Sequence, residues 1–309
     1  MADPTQAQSE LDQARMPFFE HLRELRDRLR NAVIALFIGT MIAMVFRVEL
    51  YVLLAKPLIN VWNEAAQTNP AVGQPALYFK SLIEPFWTLF SVALWAGVFV
   101  SSPFIFHQIW KFIAPGLYKR ERRYGLAFAI VSAMFFVSGA AFCYFIVLEP
   151  IYEFLLGYAD ADLAKISRGL GVNYELAGSI PLKPQLFMEE YLGFAKKLLI
   201  GFGLVFELPL LILFLSLAGM VTHRSLWKFN RWALILAFVA SAALTPPDVV
   251  SQVLMAGPIV VLYNLSIVIS WVITFRREAR ERALYEDDPP PDPGGATPDD
   301  GDGNGDATT

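Results

Sequence analysis

The sequence predicts an all-α, polytopic integral membrane protein with six transmembrane helices. Three observations lead to this fold class: a low charged fraction, several long apolar stretches, and an uneven distribution of lysine and arginine between the connecting segments. Of the 309 residues, 55% are hydrophobic and 17% are charged, whereas a soluble domain carries roughly 25% charged residues.

The apolar residues are concentrated in six stretches. Most of them approach the roughly 20 residues that an α-helix needs to cross a hydrocarbon core of about 30 Å. A soluble core can cover one such helix but hardly six, so a membrane protein is predicted. The stretches are residues 31–46, 87–106, 126–148, 198–220, 232–244 and 253–275.

The first predicted element precedes the first span. Pro17 can begin a helix, because the backbone N–H that proline lacks would be unpaired in the first turn of a helix in any case. The apolar residues that follow recur at helical spacing, while the arginines lie mostly on other faces. This pattern indicates an amphipathic basic helix at the membrane surface. The apolar positions are Phe18, Leu22, Leu25 and Leu29.

Two connecting segments carry local signals. Residues 50–64 are apolar on one side and contain Lys56-Pro57, which predicts a bent interfacial helix. Residues 65–80 are predicted as an irregular loop because Pro and Gly interrupt them. The longest non-spanning segment, residues 149–193, carries seven acidic residues.

The fifth span is short. Fourteen residues separate Arg231 from Pro246, which is roughly 21 Å of helix at about 1.5 Å per residue. The following turn, Thr245-Pro246-Pro247-Asp248, must therefore lie shallow in the membrane, or the bilayer must become thinner around it.

Lysine and arginine are unevenly distributed between the two sides. Four segments hold 17 of them: the N-terminal one, the connections after spans two and four, and the one after span six. The alternate segments hold eight, spread over longer loops. Because cytoplasmic loops carry an excess of basic residues, both termini are expected in the cytoplasm.

Three regions are predicted along the chain: a disordered cytoplasmic N-terminus (1–17), a six-span membrane domain (18–276), and a basic stub with a disordered acidic tail (277–309). Residues 286–309 hold eight acidic residues and no lysine or arginine, so the net charge of −4 becomes +4 for residues 1–285. A tail rich in Pro, Gly and Asp cannot bury enough apolar surface to fold. We expect it to aid solubility rather than to bind a partner.

Glu207 lies inside a predicted span. An ionised side chain near the bilayer centre costs at least about 2.5–3.5 kcal/mol, so it is expected to face the protein interior or a wet cavity. Pro209 removes one helix hydrogen bond nearby. A functional role is the favoured interpretation, and a neutral glutamate that serves packing alone is the other.

Glu24 and Glu121 lie within basic clusters beside the membrane, in Arg23-Glu24-Leu25-Arg26 and in residues 119–123. Such acids usually moderate the repulsion between neighbouring cations, and exposed pairs contribute only about 0–1 kcal/mol. Together, two carboxylates can also bind a cationic ligand, and arginine suits them because its planar fork matches a carboxylate. The spacing alone leaves both interpretations open.

Other kinds of chemistry lack their residues. The three histidines lie on separate segments without H-E-x-x-H spacing, and the one cysteine, Cys143, lies in an apolar stretch. No metal site is therefore predicted. Neither a G-x-S-x-G elbow nor a P-loop lysine is present, so we expect no enzymatic activity and no cofactor.

Five motifs occur in order between residues 18 and 276. They are FEHLRELRDR at 19–28, AKPL at 55–58, QIWKFIAPGLY at 108–118 with Glu121-Arg122-Arg123, FELP at 206–209, and TPPD at 245–248 with Ser251-Gln252. In this order they resemble the TatC family, the receptor subunit of the twin-arginine protein translocase.

The resemblance implies a function for the expected site residues. In that family the cytoplasmic face binds the paired arginines in signal peptides of folded exported proteins. Carried over by motif, the resemblance makes Glu24 and Glu121 the acidic contacts, with Arg26 and Phe112 beside them. Glu207 matches the family's intramembrane acid. The positions in its outer-side motifs are Pro57, Asp248 and Gln252.

The resemblance also implies an architecture and partners. The six helices are expected in a concave, glove-like arrangement with short fifth and sixth helices, in the bacterial cytoplasmic (inner) membrane. The expected partners are twin-arginine signal peptides, small single-span subunits like TatA and TatB, the lipid bilayer and further copies of the chain, with no nucleic acid.

A proton-coupled small-solute carrier that titrates Glu207 is the alternative hypothesis. It requires several polar residues along a path, and the predicted spans offer little beyond Glu207. An intramembrane enzyme is a third possibility, against which the missing His, Cys and Ser constellations argue.

Overall fold

Helices make up nearly all of the ordered elements. The structure is a computed structural model that describes residues 4–68, 73–113, 125–157, 185–245 and 249–287, with side chains from residue 19 to residue 276 of these ranges except at 125. The elements in chain order are α1 Pro4–Val45, α2 Arg47–Thr68, β1 Leu77–Tyr78, α3 Glu84–Ile113, α4 Gly125–Phe142, a π-helical turn Cys143–Val147, α5 Leu148–Gly157, β2 Leu186–Phe187, α6 Met188–Phe206, α7 Leu208–Leu217, α8 His223–Leu244 and α9 Val249–Asp287.

Five helical stretches in the described ranges are long and apolar enough to cross a membrane. Their outer surfaces expose large apolar side chains such as Phe37 (63%) and Phe104 (65%), as expected of helices that face lipid. The predicted all-α polytopic membrane fold is therefore confirmed. The remaining predicted span, the fifth, lies in α8, whose 22 residues begin with polar turns. The five stretches are Phe19–Val45, Glu84–Ile113, Leu126–Gly157, Met188–Leu217 and Val249–Arg276.

The last helix is longer than predicted. Helix α9 runs for 39 residues, and its apolar stretch extends to Arg276, so the expectation of a short sixth helix is wrong. Residues 277–287 are rich in Arg, Glu and Ala. These residue types are strong helix formers, and they continue the helix beyond its apolar part.

Helix α2 contains Pro57, at the position where the sequence predicts a bent interfacial helix. A proline has no N–H, so it cannot donate to the carbonyl four residues earlier, which belongs to Leu53. The hydroxyl of Tyr144 donates to that carbonyl over 2.8 Å. A side chain from the π-helical turn therefore satisfies the acceptor that Pro57 leaves without its usual helix partner.

The strands join two non-spanning segments at one end of the helices, called here the strand end. β1 pairs in parallel with β2, a contact that is not predicted from the sequence. Glu84 is 7% exposed and accepts hydrogen bonds from the backbone N–H groups of Lys80 (2.5 Å) and Glu189 (3.3 Å). The Lys80 ammonium pairs with the Glu190 carboxylate, and this hydrogen bond raises the pKa of Lys80.

The main packing contacts set the positions of the helices. α1 packs on α3, α4 packs on α3 and α6, and α9 packs on α7 and α8. The largest buried apolar cluster lies where α2, the π-helical turn, α5 and α6 meet, and it includes Trp62, Ile151, Leu192 and Phe202. The N-terminal part of α1 extends beyond this cluster, at the opposite end from the strands.

Candidate functional site

The basic end of the protein is defined here by Arg23, Arg28 and Arg30 on α1 together with Lys111 on α3. A stacked pair of rings joins the two helices there: His21 and Phe112 have centroids 4.4 Å apart and an interplanar angle of 19°. His21 precedes Glu24 by three residues on α1, so the two side chains share a helix face. The structure thus brings Phe112 to the face of α1 that carries Glu24.

Glu24 is already paired with a guanidinium. Its Oε1 accepts a hydrogen bond from Nη2 of Arg28, one turn later, over 3.0 Å, and the two side chains are 30% and 27% exposed. A charge-assisted hydrogen bond of this length is stronger than one between neutral groups. Because both groups are partly buried, their attraction is screened less than that of a fully exposed pair.

Three further polar atoms at this end have no hydrogen-bond partner among the described residues. They are Arg28 Nε, His107 Nδ1 and Gln108 Oε1, all of them buried. Arg28 also lies close enough to His107 to interact with it electrostatically. Buried polar atoms in proteins nearly always have partners, so these three atoms are exceptions within the described part of the chain.

Arg26 is not brought together with Glu24. It lies two residues further along α1, roughly 200° around the helix. Its side chain is 73% exposed and lies 3.6 Å from the carboxylate of Asp27. Asp27 also contacts Arg30 at 3.4 Å.

An apolar groove runs between α1 and α3 and starts near the pair of Glu24 and Arg28. Its volume is about 370 Å³, and its walls extend from Asn31 and Gln108 to Ile42 and Val100. Asn31 follows Glu24 by seven residues, which is two helical turns along the same face. The carboxylate and the groove therefore lie in line on α1.

Glu207 lies at the break between α6 and α7. Its N–H donates to the carbonyl of Leu204 over 3.1 Å, and Pro209 follows in the first turn of α7. The side chain is partly buried, its Oε1 has no partner within the described residues, and its carboxyl group lies near the Ser132 hydroxyl. Ser132 in turn accepts a hydrogen bond from Trp110 Nε1 over 2.9 Å.

The remaining predicted positions are distributed as follows. Glu121 and Asp248 lie outside the described residues. Pro57 lies within α2, away from the basic end, and the backbone carbonyl of Gln252 accepts a hydrogen bond from Ser241 Oγ over 2.9 Å. Among the described residues, no three His, Cys, Asp or Glu side chains are grouped in a way that could hold a metal ion.

Sequence reasoning missed two polar contacts: Trp110 with Ser132, and Glu84 with the backbone of Lys80 and Glu189. Trp110 lies in the 108–118 motif, yet nothing in the sequence connects it with Ser132 in another span. Glu84 offered a weak signal, because an acid directly before Pro85 at the start of an apolar stretch is typical of a helix N-terminus.

Residues 20–258 match the family model described as TatC, Sec-independent protein translocase protein. The chain is similar to TatC from Desulforapulum autotrophicum, with 36% identity over 89% of this chain and 92% of that protein. It is similar to TatC from Aquifex aeolicus, with 35% identity over 87% of this chain and all of that protein. A crystal structure of the twin-arginine translocase receptor TatC superimposes with a TM-score of 0.62 at 34% identity, covering 82% of this chain and 99% of that one.

Proposed function

The chain belongs to the TatC family of Sec-independent protein translocase components, and on that premise we propose that it is the receptor that binds paired-arginine signal peptides. As a translocase component it is a transport protein and not an enzyme. In the proposed function the basic end binds the arginines of folded cargo, and peptide binding nucleates the translocation complex.

The observation that carries this proposal is the pair of Glu24 and Arg28. The Glu24 carboxylate holds a guanidinium at 3.0 Å in a partly buried position beside Phe112. Arg28 thus occupies the place that an arginine of a signal peptide would take. The guanidinium of the ligand would replace it, and the ring of Phe112, which stacks on His21 one turn before Glu24, would contact the peptide.

We propose Glu121 as the second acidic contact, since it lies in the matching motif just after α3. Two carboxylates would then face two arginines in surroundings of lowered dielectric, where such pairs gain more than in water. Arg26, exposed on the other side of α1, would contact the periphery of the bound peptide rather than its arginines.

The apolar part of the signal peptide follows its arginines, and the groove between α1 and α3 is placed to receive it. This groove begins two turns from Glu24 and has mostly apolar walls. Glu207 is proposed as the polar group that the inserted segment approaches from the bundle interior. Pro57, Asp248 and Gln252 are proposed as outer-side positions that maintain the fold rather than bind the peptide.

The membrane orientation follows from the charge distribution. With 17 of 25 basic residues on the segments of one side, the basic end and both termini are proposed to lie in the cytoplasm of a bacterium, with the strand end outside. The proposed domain division is 1–17, 18–276 and 277–309. Small single-span Tat subunits and further copies of this chain are the proposed partners in the assembled complex.

Binding of a photo-reactive twin-arginine peptide tests the receptor function. Glu24→Ala and Glu121→Ala are each expected to weaken binding about tenfold or more, because a hydrogen bond between charged groups is worth about 1.5–3 kcal/mol. Asp27→Ala is the matched control: it removes an equal charge from α1, but its carboxylate contacts the exposed Arg26 and Arg30. It is expected to bind like the unmodified protein.

A twin-lysine peptide completes this experiment. It is expected to bind poorly to the unmodified protein, because an ammonium cannot match a carboxylate with two parallel hydrogen bonds. Unchanged binding in both glutamate variants, together with equal binding of the two peptides, would contradict the receptor function.

Transport measurements test Glu207. If its role is polar, Glu207→Leu lowers export more than Glu207→Gln does, because glutamine keeps a hydrogen-bonding group beside Ser132. The reverse order would instead favour proton transfer at Glu207, as the carrier hypothesis requires.

A further inference from the structure

Lys196 is a buried cation inside a spanning helix. It lies on α6, its residue is 6% exposed, and its ammonium donates a hydrogen bond to Ser91 Oγ on α3 over 2.6 Å. A charged side chain within a membrane span is costly and usually has a partner or a function. The proposed receptor function does not use Lys196.

No carboxylate of the described residues neutralises Lys196 directly. An ammonium has three donors, and the neutral Ser91 hydroxyl accepts one of them. Glu189, seven residues earlier on α6, interacts with Lys196 only through the longer-range electrostatic field. The ion pairs within 4 Å in the described part of the chain are Arg26–Asp27, Arg28–Glu24, Arg30–Asp27 and Lys80–Glu190.

Lys196 forms part of the wall of an open apolar cavity lined by α2, α3, α4, the π-helical turn and α6. The cavity has a volume of about 280 Å³, and Trp95, Ala96 and Phe99 of α3 form much of one side. Tyr144 also lines it, but its hydroxyl donates to the Leu53 carbonyl. Lys196 therefore supplies the positive charge of an otherwise apolar wall.

The volume of the cavity indicates what can occupy it. The cavity holds about nine groups the size of a water molecule, at roughly 30 Å³ each. This is enough for a segment of an acyl chain.

The position of Lys196 relates the cavity to one leaflet. Lys196 lies eight residues after Met188, or about 12 Å along α6 from the strand end. The ammonium of Lys196 is bonded to Ser91, which lies seven residues, or about 10 Å, along α3 from Glu84 at the same end. An anionic headgroup at the strand end can therefore approach the ammonium while its chain enters the cavity.

We propose that this cavity binds an anionic phospholipid from the leaflet at the strand end, with one acyl chain against Trp95 and Phe99 and the phosphate group paired with Lys196. The apolar wall selects the chain, and the buried ammonium selects the negative headgroup.

Quenching of tryptophan fluorescence by lipids with brominated chains tests this site in the full-length protein. Brominated phosphatidylglycerol is expected to quench Trp95 at a mole fraction about fivefold lower than brominated phosphatidylcholine, as expected for one lysine facing an anionic lipid. Trp95→Phe identifies the contribution of Trp95 among the seven tryptophans.

Two variants separate the charge from the cavity. Lys196→Gln is expected to abolish the preference for phosphatidylglycerol, whereas Lys197→Gln, the same change at an exposed neighbour, is expected to keep it. Ala96→Leu fills the cavity, leaves Lys196 in place, and is expected to reduce quenching by both lipids severalfold.

Three results would overturn the proposal. One is the same quenching by both lipids in the unmodified protein. Another is a preference that persists in Lys196→Gln. The third is that Lys196→Gln and Ala96→Leu both leave lipid quenching unchanged but lose a co-purifying single-span subunit. That result would show that the cavity binds a helix of the subunit instead of a lipid.

Discussion

Gly97 lies at the closest approach between α1 and α3, and Gly97→Ala is predicted to separate these helices. A Cβ at Gly97 would lie 2.5 Å from Thr40 Oγ1, 2.7 Å from Thr40 N and 2.8 Å from Thr40 Cα. Two of these atoms belong to the backbone, so a change of rotamer cannot remove the clash. Thr40 is also 4% exposed and its hydroxyl donates to the Leu36 carbonyl.

The distances set the size of the effect. Ordinary contact begins at 3.4 Å, so the backbone nitrogen at 2.7 Å requires the helices to move apart by roughly 0.7 Å. A gap of 0.5–1 Å loses about a quarter to a half of the dispersion energy of each atom pair. Overpacking of this kind costs about 1–3 kcal/mol, and lipid supplies no hydrophobic driving force to offset it, since helix association in membranes depends on close packing.

Cys143 provides the assay. It is the one cysteine of the chain and is 0% exposed, so a fluorogenic maleimide reports the unfolding that exposes it. The midpoint of thermal unfolding is expected to fall by about 2–12 °C in Gly97→Ala, at roughly 2–4 °C per kcal/mol for a chain of this size class.

Gly193→Ala is the matched control. Gly193 also lies inside a helix, α6, but a Cβ there would have no neighbour within 4 Å. Alanine favours helix over glycine by up to about 1 kcal/mol, so this midpoint is expected to stay or rise slightly. A Gly97→Ala midpoint equal to that of the unmodified protein would refute the reasoning from close approach.

Two further changes test polar contacts elsewhere. Glu84→Gln weakens the acceptor of the Lys80 and Glu189 N–H groups at a cost of about 1–3 kcal/mol. Amide hydrogen exchange in β1 and β2 should therefore become faster, and unchanged exchange would show that the strands hold without this carboxylate. Tyr263→Phe removes the hydroxyl that donates to the Leu226 carbonyl over 2.9 Å, so the Cys143 midpoint should fall by an amount equivalent to about 0.5–1.5 kcal/mol. A rise in that midpoint would contradict the assigned bond.

Several features of the candidate site could be predicted from single segments of sequence. That Glu24 lies on a basic helix is predicted from local spacing alone, and in the structure this helix is part of α1. The break at Glu207 is also local, because Pro209 cannot continue the hydrogen bonds of a helix. The resemblance to the family put Arg26 beside Glu24 because the two residues share a motif. Helical periodicity alone would have predicted the direction that the structure shows, with Arg26 on the other side of α1.

The length of the last helix shows a different limit. Hydropathy predicts where a helix leaves the membrane, and the apolar stretch does end at Arg276. It does not predict where the helix itself ends, because the charged residues that follow favour helix in water as well.

The sequence by itself determined the membrane class, the approximate positions of the spans and the motifs that place the chain in its family, because each depends on runs of residues close together along the chain. Only the tertiary structure decided which distant groups meet: His21 with Phe112, Trp110 with Ser132, Lys196 with Ser91, and β1 with β2. In a membrane, the hydrophobic free energy changes little whether a helix face contacts lipid or protein. The partners of each polar side chain are therefore set by close packing between helices, which hydropathy and local spacing do not encode.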